Sequence, residues 1–85
     1  MEKRVRKKEI PAVVIQLGTK LKNVIVEKKL KQRNVAHDAG MDVENLRKYL
    51  KGSQEMKIST LIKISEAVGM TASELLDGIH TKREI

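Results

Sequence analysis

The chain predicts an all-α fold, one compact domain of five helices, and three observations carry that expectation. Apolar residues recur three and four positions apart in five separate stretches, the spacing that lines one side of a helix. Gly40, Gly52, Gly69 and Gly78 fall where these stretches end, at positions suited to the left-handed residue that closes a helix. Two helix-start signals stand ahead of apolar runs: Asp42, and the pair Thr71-x-x-Glu74.

Residues 1–10 read as a basic arm, with Lys3, Arg4, Arg6, Lys7 and Lys8 against Glu2 and Glu9. Two readings are open: a solvated tail, or an arm laid along phosphates that orders on binding. The domain itself is expected over residues 11–78. Pro11 suits the first turn of a helix, where its missing N–H has no intrahelical partner to lose. From there Val14, Leu17, Leu21, Val24, Ile25 and Lys28 recur at helical spacing and predict a first helix over residues 11–29. Gly18 weakens its middle by about 1 kcal/mol relative to alanine and marks a candidate break. Val13, Val14 and Ile15 ahead of it are placed to cover the core or a partner chain.

Gln32 to Leu50 reads as two short helices joined by a tight turn at Gly40. Val35, Ala36 and Ala39 share one face of the first. Leu46, Tyr49 and Leu50 share a face of the second, predicted over residues 43–50 with Asp42 as its N-cap. Ala36 carries only a methyl group, which lets a second helix pass close to it. Ala36, Gly40 and Leu46 thus form a small–glycine–apolar frame that suits a helix-turn-helix. Capped helical hairpins are common, so the frame alone is a weak signal. The exposed side of the second helix adds weight, because Val43, Glu44, Arg47, Lys48 and Lys51 can bond or pack against base edges and phosphates.

A fourth helix is predicted over residues 58–68, burying Ile58, Leu61, Ile62, Ile64 and Val68, with Gly69 at its end. Thr71-x-x-Glu74 opens a short fifth helix carrying Leu75 and Leu76, and Gly78 ends it. Residues 79–85 are a polar tail with two isoleucines, Ile79 and Ile85.

From Leu17 to Leu76 the chain resembles the phage-repressor and Cro-like family of DNA-binding domains, also called XRE-type. LKNVIVEKKLKQRNVAHDAGM is similar to that family's first helix, glutamine-led second helix and turn. DVENLRKYLKGS is similar to its recognition helix and the glycine after it, and ISTLIKISEAVGMTASELL to its last two helices. The resemblance implies a five-helix lambda-repressor-like domain with the helix-turn-helix at helices 2 and 3. It implies a sequence-specific double-stranded DNA-binding regulator, a repressor acting by operator occupancy with its recognition helix in the major groove.

The same resemblance assigns base contacts to Val43, Glu44, Arg47 and Lys48. Arg47 can fork onto guanine O6 and N7, Glu44 can accept from cytosine N4, and Val43 can pack on a thymine methyl. Glu44 has a second reading, in which it supports the helix N-terminus and orients Arg47 three residues on. Phosphate contacts fall to Gln32, Arg33, Asn45, Lys51, Gly52 and Ser53. In repressors of this family the fifth helix and tail commonly form a two-fold contact, which nominates Leu76, Ile79 and Ile85 for a homodimer. Such a dimer spans half-sites about 34 Å apart.

Four positions depart from the family pattern. An arginine in the family's first helix often pairs with a glutamate closing the recognition helix, and those positions are Ile25 and Leu50 here. Packed apolar groups can replace a buried ion pair at little loss, provided both partners change together, so Ile25 and Leu50 are expected to touch. Lys31 stands where the family prefers Ser or Thr as an N-cap, and Met56 where many relatives have proline.

Composition bounds the rest. Eighty-five residues make one small domain. Eighteen Lys and Arg against eleven Asp and Glu leave +7, which predicts attraction to polyanions, nucleic acid first and anionic membrane second. Without cysteine there is no disulfide and no thiolate zinc site. His37 has only His80 to accompany it and reads as a surface histidine, so no metal is expected. Tyr49 is the single aromatic residue, so the core must be aliphatic and base-stacking platforms are missing.

The start MEKRVRKK followed by IPAVVIQL imitates a signal peptide. Gln16 interrupts the apolar run, Lys20 and Lys22 follow, and no cleavage site appears, so a helix start fits better. No segment approaches the roughly twenty apolar residues of a membrane span, and a cytoplasmic protein without cofactor is expected. An enzyme is disfavoured: there is no phosphate-cradling glycine loop, no nucleophile with base and orienter, and no metal cluster. The alternatives are a protein-interaction adaptor that keeps the fold without reading bases, or an antitoxin-type regulator, since fold does not establish function.

Overall fold

In the computed structural model, which describes residues 10–80, each stretch of helical spacing folds as a helix. These are α1 (Ala12–Glu27), α2 (Gln32–Asp38), α3 (Val43–Leu50), α4 (Ile58–Ala67) and α5 (Ala72–Leu76). The basic arm expected at residues 1–10, Ile10 apart, lies outside the described residues, as do residues 81–85 of the expected tail.

One buried cluster joins all five helices. Leu17, Leu21, Val24 and Ile25 come from α1, Val35 and Ala36 from α2, Leu46, Tyr49 and Leu50 from α3, Ile64 from α4 and Leu75 from α5. Ala39 and Val68, at the ends of α2 and α4, complete it. Apart from Tyr49 it is aliphatic, as the composition requires. Ile25 and Leu50 are 3% and 7% exposed, so the two positions that depart together from the family's ion pair are both packed in apolar surroundings.

Pro11 stands at the N-cap of α1 rather than within its first turn, and its carbonyl accepts the Val14 N–H at 3.0 Å. The break expected at Gly18 does not occur, and α1 runs through it without interruption. The glycine serves packing instead. A Cβ built on Gly18 would lie 2.5 Å from the Tyr49 carbonyl oxygen and 2.8 Å from that of Leu50. Only a residue without a side chain lets α1 lie this close on the end of α3.

α4 buries a different stripe from the one its apolar residues suggest. Ile64 and Val68 are buried, but Ile58 is 75% and Ile62 43% exposed, and Leu61 is half-buried. Ser65 takes an inward position because its hydroxyl donates to the Leu61 and Ile62 carbonyls at 3.0 and 2.9 Å. Those bonds within its own helix satisfy a polar group that would otherwise be costly to bury.

The helix ends obey local chemistry. At α2 the Gly40 N–H donates to the His37 carbonyl and the Met41 N–H to that of Ala36, at 3.0 and 2.9 Å. This double closure satisfies carbonyls that the helix itself leaves open. α1 closes in the same way with a lysine, Lys29, in the left-handed conformation at φ 57°. α5 starts with the expected capping box, Glu74 N–H to Thr71 Oγ1 at 3.0 Å and Thr71 N–H to Glu74 Oε1 at 2.9 Å.

Two lysines add ties between helices. Lys20 Nζ donates to the Glu74 and Asp77 carbonyls at the end of α5, at 3.1 and 2.5 Å. Lys28 Nζ donates to the Val68 carbonyl at the end of α4, at 2.7 Å. Each ammonium sits where a helix end is electronegative.

Candidate nucleic-acid interface

The turn between α2 and α3 is set by Gly40 at φ +73°, with Ala36 only 1% exposed beneath it and Leu46 fully buried. Asp42 occupies the N-cap of α3 with extended backbone, φ −75° and ψ 148°, but makes no side-chain capping bond. This corrects the expected cap: its backbone carbonyl accepts from Asn45 and Leu46 N–H, while its carboxylate caps none of the first-turn N–H groups.

Burial of Leu46, Tyr49 and Leu50 turns the other side of α3 outward. Glu44, Asn45, Arg47, Lys48 and Lys51 are exposed. Val43 differs, being half-buried and packed against the core cluster, so only part of its side chain faces solvent. It begins α3 where the helix leaves the turn, and the core takes one of its faces.

Arg47 is the centre of the outward face. Its Nε donates to Gln32 Oε1 at 3.3 Å, and its Nη1 to Glu44 Oε2 at 3.4 Å. The guanidinium thus bridges the first residue of α2 and the second of α3. Side-chain exposures of 49% for Arg47 and 78% for Glu44 mean that water screens this ion pair and it adds little to stability. Its consequence is orientation. Glu44 is thus placed beside Arg47, three residues on along α3.

Gln32 opens α2, as its place in the sequence suggests, and with Lys31, Arg33, Asn34 and Arg47 it lines an open depression. Gly52 and Ser53 have their backbone donors turned inward: the Gly52 N–H bonds the Tyr49 carbonyl at 3.0 Å and the Ser53 N–H that of Lys48 at 3.1 Å. Ser53 Oγ donates to the same Lys48 carbonyl at 3.1 Å. Lys51, between α3 and Gly52, remains exposed.

Lys22 is a residue the sequence reading did not single out. It lines a cleft between α1 and α3 with Gln32, Arg47, Leu50 and Lys51. The available signal was its place one turn beyond Gly18, but that mattered only once Gly18 was known to meet α3.

On another face, Leu76 is 39% exposed and Ile79 half-buried against the core. They line an apolar groove with Val13, Met56, Ile58 and Leu61. Ile85, the third dimer candidate, lies outside the described residues. His37 is exposed, and among the described residues no group of three or more His, Asp or Glu is gathered. No described helix is long and apolar enough to cross a membrane.

Two short helices around a glycine turn, the second presenting a row of polar and cationic side chains, define a helix-turn-helix module. A family model described as a helix-turn-helix domain matches residues 18–80. The chain belongs to that family, and within it to the phage-repressor and Cro-like type that its motifs resemble. The family is one of non-enzymatic DNA-binding regulators.

Solved structures share the fold. The restriction-modification controller protein C.AhdI from Aeromonas hydrophila is 22% identical, with a TM-score of 0.72 over 75% of this chain and 97% of that one. The clp gene regulator ClgR from Corynebacterium glutamicum is 20% identical, with a TM-score of 0.74 over 80% of this chain and 72% of that one. A hypothetical transcription factor, NHTF from Neisseria, is 22% identical, with a TM-score of 0.69 over 87% and 88%. A comparison with curated proteins returns no match.

Proposed function

We propose that the protein is a cytoplasmic, sequence-specific double-stranded DNA-binding regulator that represses transcription by occupying its operator. One observation carries the reading: Arg47 stands on the outer face of α3 with its guanidinium aligned by Gln32 and Glu44. A guanidinium held in place loses less freedom on forking onto guanine O6 and N7 than a freely rotating one. Lys48 flanks it, Glu44 and the outer part of Val43 complete the base-facing set, and Gln32, Arg33, Asn45 and Lys51 face phosphates, whereas the expected Gly52 and Ser53 contacts are left out of that set because their N–H groups bond the Tyr49 and Lys48 carbonyls. Residues 1–10 serve as a basic arm to the domain at 11–78.

The protein acts as a homodimer through Leu76 and Ile79, with Ile85 from the tail. Support comes from the apolar groove beside them, where Ile58 and Leu76 expose hydrocarbon that a second copy would cover. The controller protein and the clp gene regulator that share the fold are regulators by name, which favours regulation over an adaptor role.

Selection from randomised duplexes tests the proposal. A selected duplex should bind at least about 10³ tighter than random duplex, with affinity falling steeply as salt rises. Weak binding that ignores sequence would instead identify an adaptor and reject the regulator reading.

A further inference from the structure

The apolar groove has a floor and a mouth: Val14, Leu17 and Tyr49 line it and are buried, whereas Ile58 and Leu76 line it and are exposed. Its open space is about 130 Å³, close to the roughly 150 Å³ of an apolar cavity that takes up benzene. Two polar features interrupt the hydrocarbon. Tyr49 is only 9% exposed, and a buried tyrosine hydroxyl ordinarily has a hydrogen-bond partner. None of the side-chain hydrogen bonds among the described residues involves it. Glu55 is the one charged residue of the lining, so this strongly basic chain presents a carboxylate and no cation here. Apolar walls with a few convergent polar groups are the pattern of a small-molecule site.

We infer that the groove binds a compact hydrophobic monoamine. Its hydrocarbon lies on Val14, Leu17 and Leu61, and its ammonium donates to the Tyr49 hydroxyl oxygen and the Glu55 carboxylate. An anion would meet Glu55 as a like charge, and a purely apolar molecule would leave the buried hydroxyl without a partner. The inference goes beyond the regulator reading and does not depend on it. The ligand occupies the floor, below the Ile58 and Leu76 hydrocarbon assigned to a second copy.

The test uses the full chain with three probes of one shape: cyclohexylammonium, cyclohexanol and cyclohexanecarboxylate. Tyr49 is the only aromatic side chain, so its fluorescence reports on the groove alone, and methyl resonances map the site. Cyclohexylammonium should change that fluorescence saturably and shift the methyl signals of Val14, Leu17 and Leu61. Cyclohexanol should bind about fivefold more weakly, the scale of one exposed ion pair, and cyclohexanecarboxylate more weakly again. Glu55→Gln, at an exposed position, should keep the thermal midpoint and bring the amine and the alcohol to equal affinity. Tyr49→Phe, followed by the methyl signals, should weaken both about fivefold. Glu66→Gln, on α4 and not lining the groove, should change neither. No saturable response to the amine, or methyl shifts confined to other parts of the chain, would overturn the inference. Equal binding of all three probes would overturn it too, as would an equal loss in Glu55→Gln and Glu66→Gln, which marks general attraction of a cation to carboxylates.

Discussion

Gly18 and Tyr49 meet backbone to backbone, so closely that a methyl group on the glycine would come 2.5 Å from the tyrosine carbonyl oxygen. The recognition helix is therefore positioned by the first helix as well as by its turn from α2. Two effects oppose each other in Gly18→Ala. Alanine favours a helix interior by about 1 kcal/mol, whereas forcing atoms into a closed contact costs about 1–3 kcal/mol. Because the obstacle is backbone and cannot rotate away, the clash should win. Urea unfolding should show a lower midpoint, and an equal or higher one would mean that α1 shifts freely over α3.

Lys29 offers the opposite case. It holds φ 57° at the end of α1, a conformation that costs a residue with a Cβ about 1 kcal/mol or more. Lys29→Gly should raise the free energy of unfolding by a similar amount, read as a higher denaturation midpoint with the slope m unchanged. No gain would show that the lysine side chain contributes a compensating interaction.

Arg47 and Lys51 should separate in their effects on DNA. Arg47→Ala should cost about 1–3 kcal/mol at the selected site and relax preference at one base pair. Lys51→Ala should weaken all duplexes alike and flatten the salt slope by about one unit. If both variants behave as Lys51→Ala is expected to, the base-reading role of Arg47 fails. Gln32→Ala, which removes one of its two anchors, should fall between them.

Lys20 ties α1 to the end of α5 through the Glu74 and Asp77 carbonyls. Lys20→Met keeps the hydrocarbon stem and deletes the charge, at a cost of about 0.3–1 kcal/mol for a cation at a helix C-terminus. Amide exchange should accelerate across residues 72–79 more than in α2 or α3. Uniform acceleration would show that the loss is global and that the tie is not local to α5.

Leu76 tests assembly. Leu76→Asp puts a carboxylate on the proposed two-fold contact, and a side chain that is 39% exposed has room for it in the monomer. Light scattering should show the dimer lost while helix content remains. A protein that is a monomer before substitution would dismiss this contact outright.

The Thr71–Glu74 box, the Gly40 turn and the aliphatic faces of α1, α2 and α3 were legible in the chain itself. Each depends on residues within about one turn of one another, where spacing fixes geometry. The same locality explains why α2 and α3 could be recognised as a helix-turn-helix module, with Arg47 outward because Leu46, Tyr49 and Leu50 must turn inward. The outward row of candidate side chains followed from that inversion alone.

Tertiary structure decided what lies far apart in sequence. Gly18 looked like a weak point in a helix and is a contact surface, because its neighbour is thirty-one residues away. Ile58 and Ile62 looked like core and face solvent, since hydrophobicity says what a side chain prefers but not which neighbours exist to cover it. Lys20 gained its carbonyl partners, and Lys22 its place in a cleft, only when α1 was laid across α5 and α3. Local chemistry writes the helices and their ends; only packing brings distant residues within a few ångströms and so fixes which surfaces remain for DNA.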